Sequence, residues 1–158
     1  IGDRQPIAAR PDVLVYTSEP FADGLELTGP ITAHLHFTSS AVDTDVTVAL
    51  VDVFEDGRSN LIQDGILRCR YRSGLDRAAL MEPGAVYALE IDVWSTSYVL
   101  APGHSLRVEI SSSNFNRYDR NLNTGEAFGQ GSEPVVATQT LFHDATRPSG
   151  IMLPVHQA

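Results

Sequence analysis

The stretch ITAHLHFTSSAVDTDVTVALVDVF, residues 31–54, decides the fold. In its first half Ile31, Ala33, Leu35 and Phe37 alternate with Thr32, His34, His36 and Thr38, the period-two pattern of a strand with one apolar and one polar face. Its second half, Asp45 to Phe54, is apolar at nearly every position, which predicts a strand covered on both sides. Two strands of such different exposure call for a layered β architecture with something packed on the outer side of the second.

The same pattern continues in both directions. Toward the N-terminus, Val13 to Ser18 reads as a strand ended by Pro20, Asp23-Gly24 marks a turn, and Leu25 and Leu27 precede a break at Gly29-Pro30. Residues 1–12, with Pro6 and Pro11, read as an extended entry segment or a linker, and residues 13–158 as a single domain. Toward the C-terminus, Asp56-Gly57 is a hairpin signal, and Ser59 to Arg72 returns as a strand with a bulge or second turn at Asp64-Gly65. Ser73 to Gly84 is the one helical candidate, about two turns at most. Tyr87 to Trp94 alternates again, Ser97 to Leu100 continues to a Pro102-Gly103 turn, and Leu106, Val108 and Ile110 then face a core while Arg107, Glu109 and Ser111 face water. After the Gly-rich span 125–134 come two last strands, Val135 to Phe142 and Ile151 to Val155. About eight to ten short antiparallel strands with almost no helix make the chain all-β, and an eight-stranded jelly-roll β-sandwich fits the count best. An immunoglobulin-like sandwich would need a Cys-Trp-Cys core, and the chain has one cysteine.

At 158 residues the chain can bury roughly 70% of its unfolded surface without staples. Cys69, the sole cysteine, excludes an internal disulfide and reads as a small core residue. Eleven basic residues, all arginine, stand against 20 acidic ones, a net charge of −9 that argues against nucleic acid and against anionic membranes. No apolar run approaches the roughly 20 residues of a membrane helix, and the N-terminus carries no signal-peptide pattern, which favours a cytoplasmic location. The chain starts at Ile1 and reads as part of something longer.

Neither a Gly-x-Ser-x-Gly elbow, nor a phosphate loop, nor a His-Glu-x-x-His zinc helix is present. Ser111, Ser112 and Ser113 lack the glycine-flanked turn of a nucleophile and read as strand-end residues. His34 and His36 share a strand face at metal-chelating spacing but have no third ligand, and Asp43 and Asp45 offer a calcium ion too few carboxylates, so no cofactor and no metal are expected. His104 and His143, the latter beside Asp144, read as turn or interdomain hydrogen-bonders. The loop 114–125 is sharper: Asn114, Arg117, Tyr118, Asp119, Arg120 and Asn121 form either an internally paired loop or a surface that docks on a partner domain or ligand. Trp94, Tyr98, Phe115 and Tyr118 are the aromatic residues a carbohydrate-binding module, the alternative reading, would need as a platform.

Six ordered blocks carry a family resemblance: RPDVLVYTSEP (10–20), ITAHLHFTSSAVDTDVTVALVDVFEDGRS (31–59), LRCRYR (67–72), MEPGAVYALEIDVW (81–94), APGHSLRVEISSSNFNRYDRNLNTG (101–125) and FHDATRPSGIMLPV (142–155). Together they resemble the C-terminal non-catalytic domain of the X-Pro dipeptidyl-peptidase / cocaine esterase-like family of serine hydrolases. Asn116 stands where such members commonly carry proline. The resemblance implies a galactose-binding-like jelly roll joined to an α/β-hydrolase domain, which holds the Ser-Asp-His triad, and to a helical cap. It implies that this domain packs on the catalytic domain, shapes the active-site mouth and contributes to homo-oligomer contacts. No catalytic residue falls in this chain, and the loop from Asn114 to Asn121 is the part expected to meet the catalytic domain.

Overall fold

The computed structural model describes residues 2–131 and 133–156, so Ile1, Ser132 of the Gly-rich span and the last two residues of the domain expected over 13–158 lie outside the described residues. Two antiparallel sheets face each other. The first has the order β1-β6-β3-β4, built from β1 (Leu14–Thr17), β3 (Asp45–Val53), β4 (Ser59–Arg68) and β6 (Ser105–Ser111). In the second, β2 (Leu25–Ser39) is central, with β5 (Tyr87–Leu100) along one edge. Three short strands tile the other edge of β2: β7 (Gln139–Phe142) opposite His36 to Ser39, β8 (Gly150–Met152) opposite Thr32 to His34, and β9 (Val155–His156) opposite Glu26 and Leu27. The chain is thus an all-β sandwich.

The core comes from the alternating positions. Ile31, Ala33, Leu35 and Phe37 of β2 and Leu89, Ile91 and Val93 of β5 meet Val46, Val48 and Leu50 of β3 and Ile110 of β6. A fully buried aliphatic side chain such as Leu50 or Ile91 stabilises the fold by roughly 1.5–3 kcal/mol. All nine residues of β3 are buried, as the unbroken apolar run predicts. Its outer face, Ala49, Val51 and Val53, packs with Leu61 of β4 as a second small cluster.

Several elements differ from expectation, each for a local reason. β2 runs through Gly29-Pro30 instead of breaking, because the proline sits where the pairing with β5 slips between Pro30 and Thr32, at a bulge that needs no N–H from it. The bulge between β3 and β4 lies at Leu50/Val51, not at Asp64-Gly65. Gly65 serves another purpose: a Cβ there would lie 2.1 Å from the Asp92 carbonyl oxygen, so β4 and β5 approach backbone to backbone. Residues 73–84 form turns, not a helix; the DRAALME run is too short to nucleate one, and the Arg72 guanidinium holds it by donating to the Cys69 (3.0 Å) and Ala79 (2.5 Å) carbonyls. The lead-in residues are not extended throughout. α1 (Gln5–Ala8) is one helical turn tied to the start of β4, where Arg4 N–H donates to the Ser59 carbonyl and Asp3 Oδ1 accepts from Ser59 N–H, both at 3.0 Å.

Candidate functional site

The loop that leaves β6 folds back over the outside of the first sheet and is fastened there by carboxylates with almost no exposure. Asp43, Asp45 and Asp64 are 0–1% exposed. Asn114 Nδ2 donates to Asp64 Oδ2 (2.7 Å) and Arg117 Nη2 lies 3.1 Å from Asp64 Oδ1. Asn121 Nδ2 bridges Asp43 Oδ2 (2.8 Å) and Asp45 Oδ1 (2.9 Å). Arg68 grips Asp45 through Nε and Nη2, and Arg70 grips Asp43 through its backbone N–H and Nε. The hydrogen bond to Asp45 holds the Arg68 guanidinium further above its ordinary value than its burial lowers it. All four oxygens of Asp43 and Asp45 therefore accept from nitrogen.

The rest of the loop faces out. Phe115 is 60% exposed with the Arg120 guanidinium 4.2 Å over its ring, and Arg117 lies 5.6 Å over Tyr118. Asp119 is exposed and makes no hydrogen bond among the described residues, so the internal pairing of this loop runs to the sheet and not between its own charges. The Phe115–Asn116 peptide bond is cis.

Between α1, the outer face of the first sheet and this loop lies a cavity of about 300 Å³, bordered by Arg4, Glu109, Ser111, Asn114, Phe115 and Arg120. Glu109, expected in water, is 3% exposed because the lead-in segment covers that face of β6. Arg4 donates to its Oε2 from Nε (2.9 Å) and Nη2 (2.7 Å), while Oε1 has no hydrogen-bond partner among the described residues. No sequence signal distinguishes Glu109 from a wet strand position, since its partner is more than a hundred residues away.

The other candidates separate. Cys69 is buried, and its thiol is pushed up to about 12, first by burial and then by the Asp43 and Asp45 charges, so it stays protonated. His34 is exposed, with Nδ1 3.7 Å from Glu90 Oε2, and no group of three His, Cys, Asp or Glu comes together among the described residues. Ser111 Oγ shares a hydrogen bond with Thr47 Oγ1 (2.7 Å) and donates to the Ser113 carbonyl (3.1 Å), so no base addresses it. His104 Nδ1 meets Asp52 Oδ1 at 2.8 Å, and Tyr98 donates to Asp52 Oδ2 at 2.8 Å; burial and that bond push the Tyr98 phenol up to about 12. His143 packs its ring edge-on to Tyr16 at 6.1 Å, while Asp144 is taken by Thr146 and Arg147. Among the described residues no ring contact joins any two of Trp94, Tyr98, Phe115 and Tyr118.

A sandwich with a polar loop fastened in this way has relatives. The family of the X-Pro dipeptidyl-peptidase C-terminal non-catalytic domain matches residues 3–152. The chain belongs to this family. It is 46% identical over 155 residues to the cocaine esterase of Rhodococcus sp. (strain MB1 Bresler), which covers 97% of the chain but only 27% of the esterase. An aminopeptidase from a marine-sediment Thaumarchaeota archaeon superimposes with a TM-score of 0.92 at 29% identity over 99% of the chain and 28% of its own. An α-amino acid ester hydrolase does so at 0.91 and 29% identity, over 99% of the chain and 27% of its own. The chain thus spans little more than a quarter of the length of these relatives.

Proposed function

We propose that this chain is the non-catalytic C-terminal module of a larger serine hydrolase acting on esters, amides or X-Pro peptides. The observation that carries the reading is the family match over residues 3–152, combined with coverage of only 27% of an esterase. The module packs on an α/β-hydrolase domain that holds the nucleophile and a helical cap, and it helps to shape the mouth of the active site. In this reading the loop from Asn114 to Asn121 works in two halves. Asn114, Arg117 and Asn121 fasten it to the sheet, and Phe115, Asp119 and Arg120 present an aromatic and charged edge to the partner domain.

Acyl transfer to water would run through a serine outside these residues. The test compares two proteins on a p-nitrophenyl ester. The 158-residue chain shows no turnover above background, while the parent polypeptide turns over and loses activity to a serine-directed sulfonyl fluoride. Inhibitor-sensitive turnover by the short chain, or a parent without such activity, overturns the reading.

A further inference from the structure

The two sheets do not close evenly. At one side β4 and β5 touch backbone to backbone at Gly65 and Asp92. At the opposite side, between β1 and β6 of the first sheet and β7 and β8 of the second, they stand apart around an apolar cavity of about 430 Å³. Tyr16, Leu35, Val108, Ile110, Leu141 and Ile151 line it, with His143 and Ser149 at its margin, and no carboxylate or guanidinium among the described residues does. A second cavity of about 210 Å³ shares Ile110 and Leu141, reaches Leu14 and Phe37, and ends at Ser111 and Ser112, the root of the polar loop.

The edge strand beside this opening is apolar where a free edge is normally charged or proline-blocked. Leu14, Val15 and Tyr16 are consecutive, so they point to both faces of β1, and they are 45%, 37% and 42% exposed. Exposed apolar side chains beside an apolar gap mark a contact.

We propose that this open edge, β1 together with the cavity behind Tyr16, seats the catalytic domain of the same polypeptide through aliphatic or aromatic side chains that enter the gap. The proposal rests on the reading that the chain is a module of a larger hydrolase. Three features favour this occupant. A small molecule in the gap would leave Val15, on the other face of β1, uncovered. A second copy would bring together two chains of net charge −9 each. The chain spans 27% of the related esterase, so most of the polypeptide remains to supply the covering surface. The apolar gap is then the centre of the contact, and the Phe115, Asp119 and Arg120 edge is its polar rim.

Cysteine reactivity tests this, because native Cys69 is fully buried. Tyr16→Cys and Leu14→Cys are made separately in the 158-residue chain and in the parent polypeptide, with Val99→Cys, 65% exposed on β5, as the control. Maleimide labelling is read by peptide mass. The expected result is fast labelling at 14 and 16 in the short chain and labelling slower by on the order of tenfold in the parent, with Val99→Cys equal in both. Equal rates at 14 and 16 in both proteins overturn the proposal. Protection already present in the short chain also overturns it, assigning the edge to a second copy if it grows with concentration and to a bound small molecule if it does not. If the parent has no serine-hydrolase activity, the reading of function fails; if it has activity while positions 14 and 16 label freely, only this inference fails.

Discussion

Asn121 carries more of the loop than its size suggests. One amide group answers two buried carboxylates, Asp43 and Asp45, at 2.8 and 2.9 Å. Asn121→Ala should destabilise the chain by about 1.5–3 kcal/mol in urea unfolding, the cost of hydrogen bonds lost from charged groups, whereas Asp119→Ala at its exposed neighbour should stay within about 0.5 kcal/mol. Equal effects would mean that the fastening is not where the distances put it. Asp3 gives a second, pH-dependent handle. Hydrogen bonds from the Gln5 N–H and then from Ser59 hold its carboxyl below the ordinary 3.8. A depressed carboxylate stabilises the fold at pH above the unfolded value and loses that contribution as pH falls through the folded one. The melting temperature should therefore be level near neutrality and drop as pH falls below about 4, and Asp3→Asn should remove part of that drop, because Asp12, Asp56 and Asp144 are depressed as well. An unchanged acid slope in Asp3→Asn would show that the lead-in turn contributes nothing there. The polar loop itself stood out in the sequence, but its anchors did not: Asp64 and Asn114 are 50 positions apart, and nothing local in either segment announces the other.

Strands were legible because their apolar pattern is local: the faces of β2 and β5 fell where alternation put them, and β3 is covered on both sides as its unbroken run predicts. What escaped reading were positions where backbone meets backbone from elsewhere in the chain. Pro30 looks like a terminator and is a bulge; Gly65 looks like half of a turn and is the point where the two sheets touch. Gly65→Ala, driving a methyl to 2.1 Å from the Asp92 carbonyl oxygen, should cost about 1–3 kcal/mol or more, since strand backbone cannot yield as a side chain does. Gly150→Ala, in β8 with nothing within 4 Å, should be close to neutral, and matching denaturation midpoints for the two variants would refute the close approach. The helical expectation for 73–84 failed on length: seven good helix formers between Gly74 and Pro83 cannot repay nucleation, and the Arg72 guanidinium takes the Ala79 and Leu80 carbonyls instead.

At the scale of the molecule, the two-layer architecture could be argued from β3 alone, since a strand apolar on both sides needs cover on both. The identity of the outer cover could not, because α1 and the polar loop are held there by charges, not by apolar pattern. The uneven closure of the sandwich was equally invisible, as Val13 to Ser18 reads the same whether its edge is free or seated. One consequence follows from the way β2 is flanked. One edge pairs with β5, but the other waits for β7, β8 and β9, which follow β5 by tens of residues in the sequence. During synthesis at about 5–20 residues per second, β2 emerges before them and keeps that edge bare until His156 has left the ribosome. Residues 139–156 therefore act as a latch: a nascent chain halted short of them exposes the longest described strand of the domain, and its neighbours on a polysome would be the nearest partners for it.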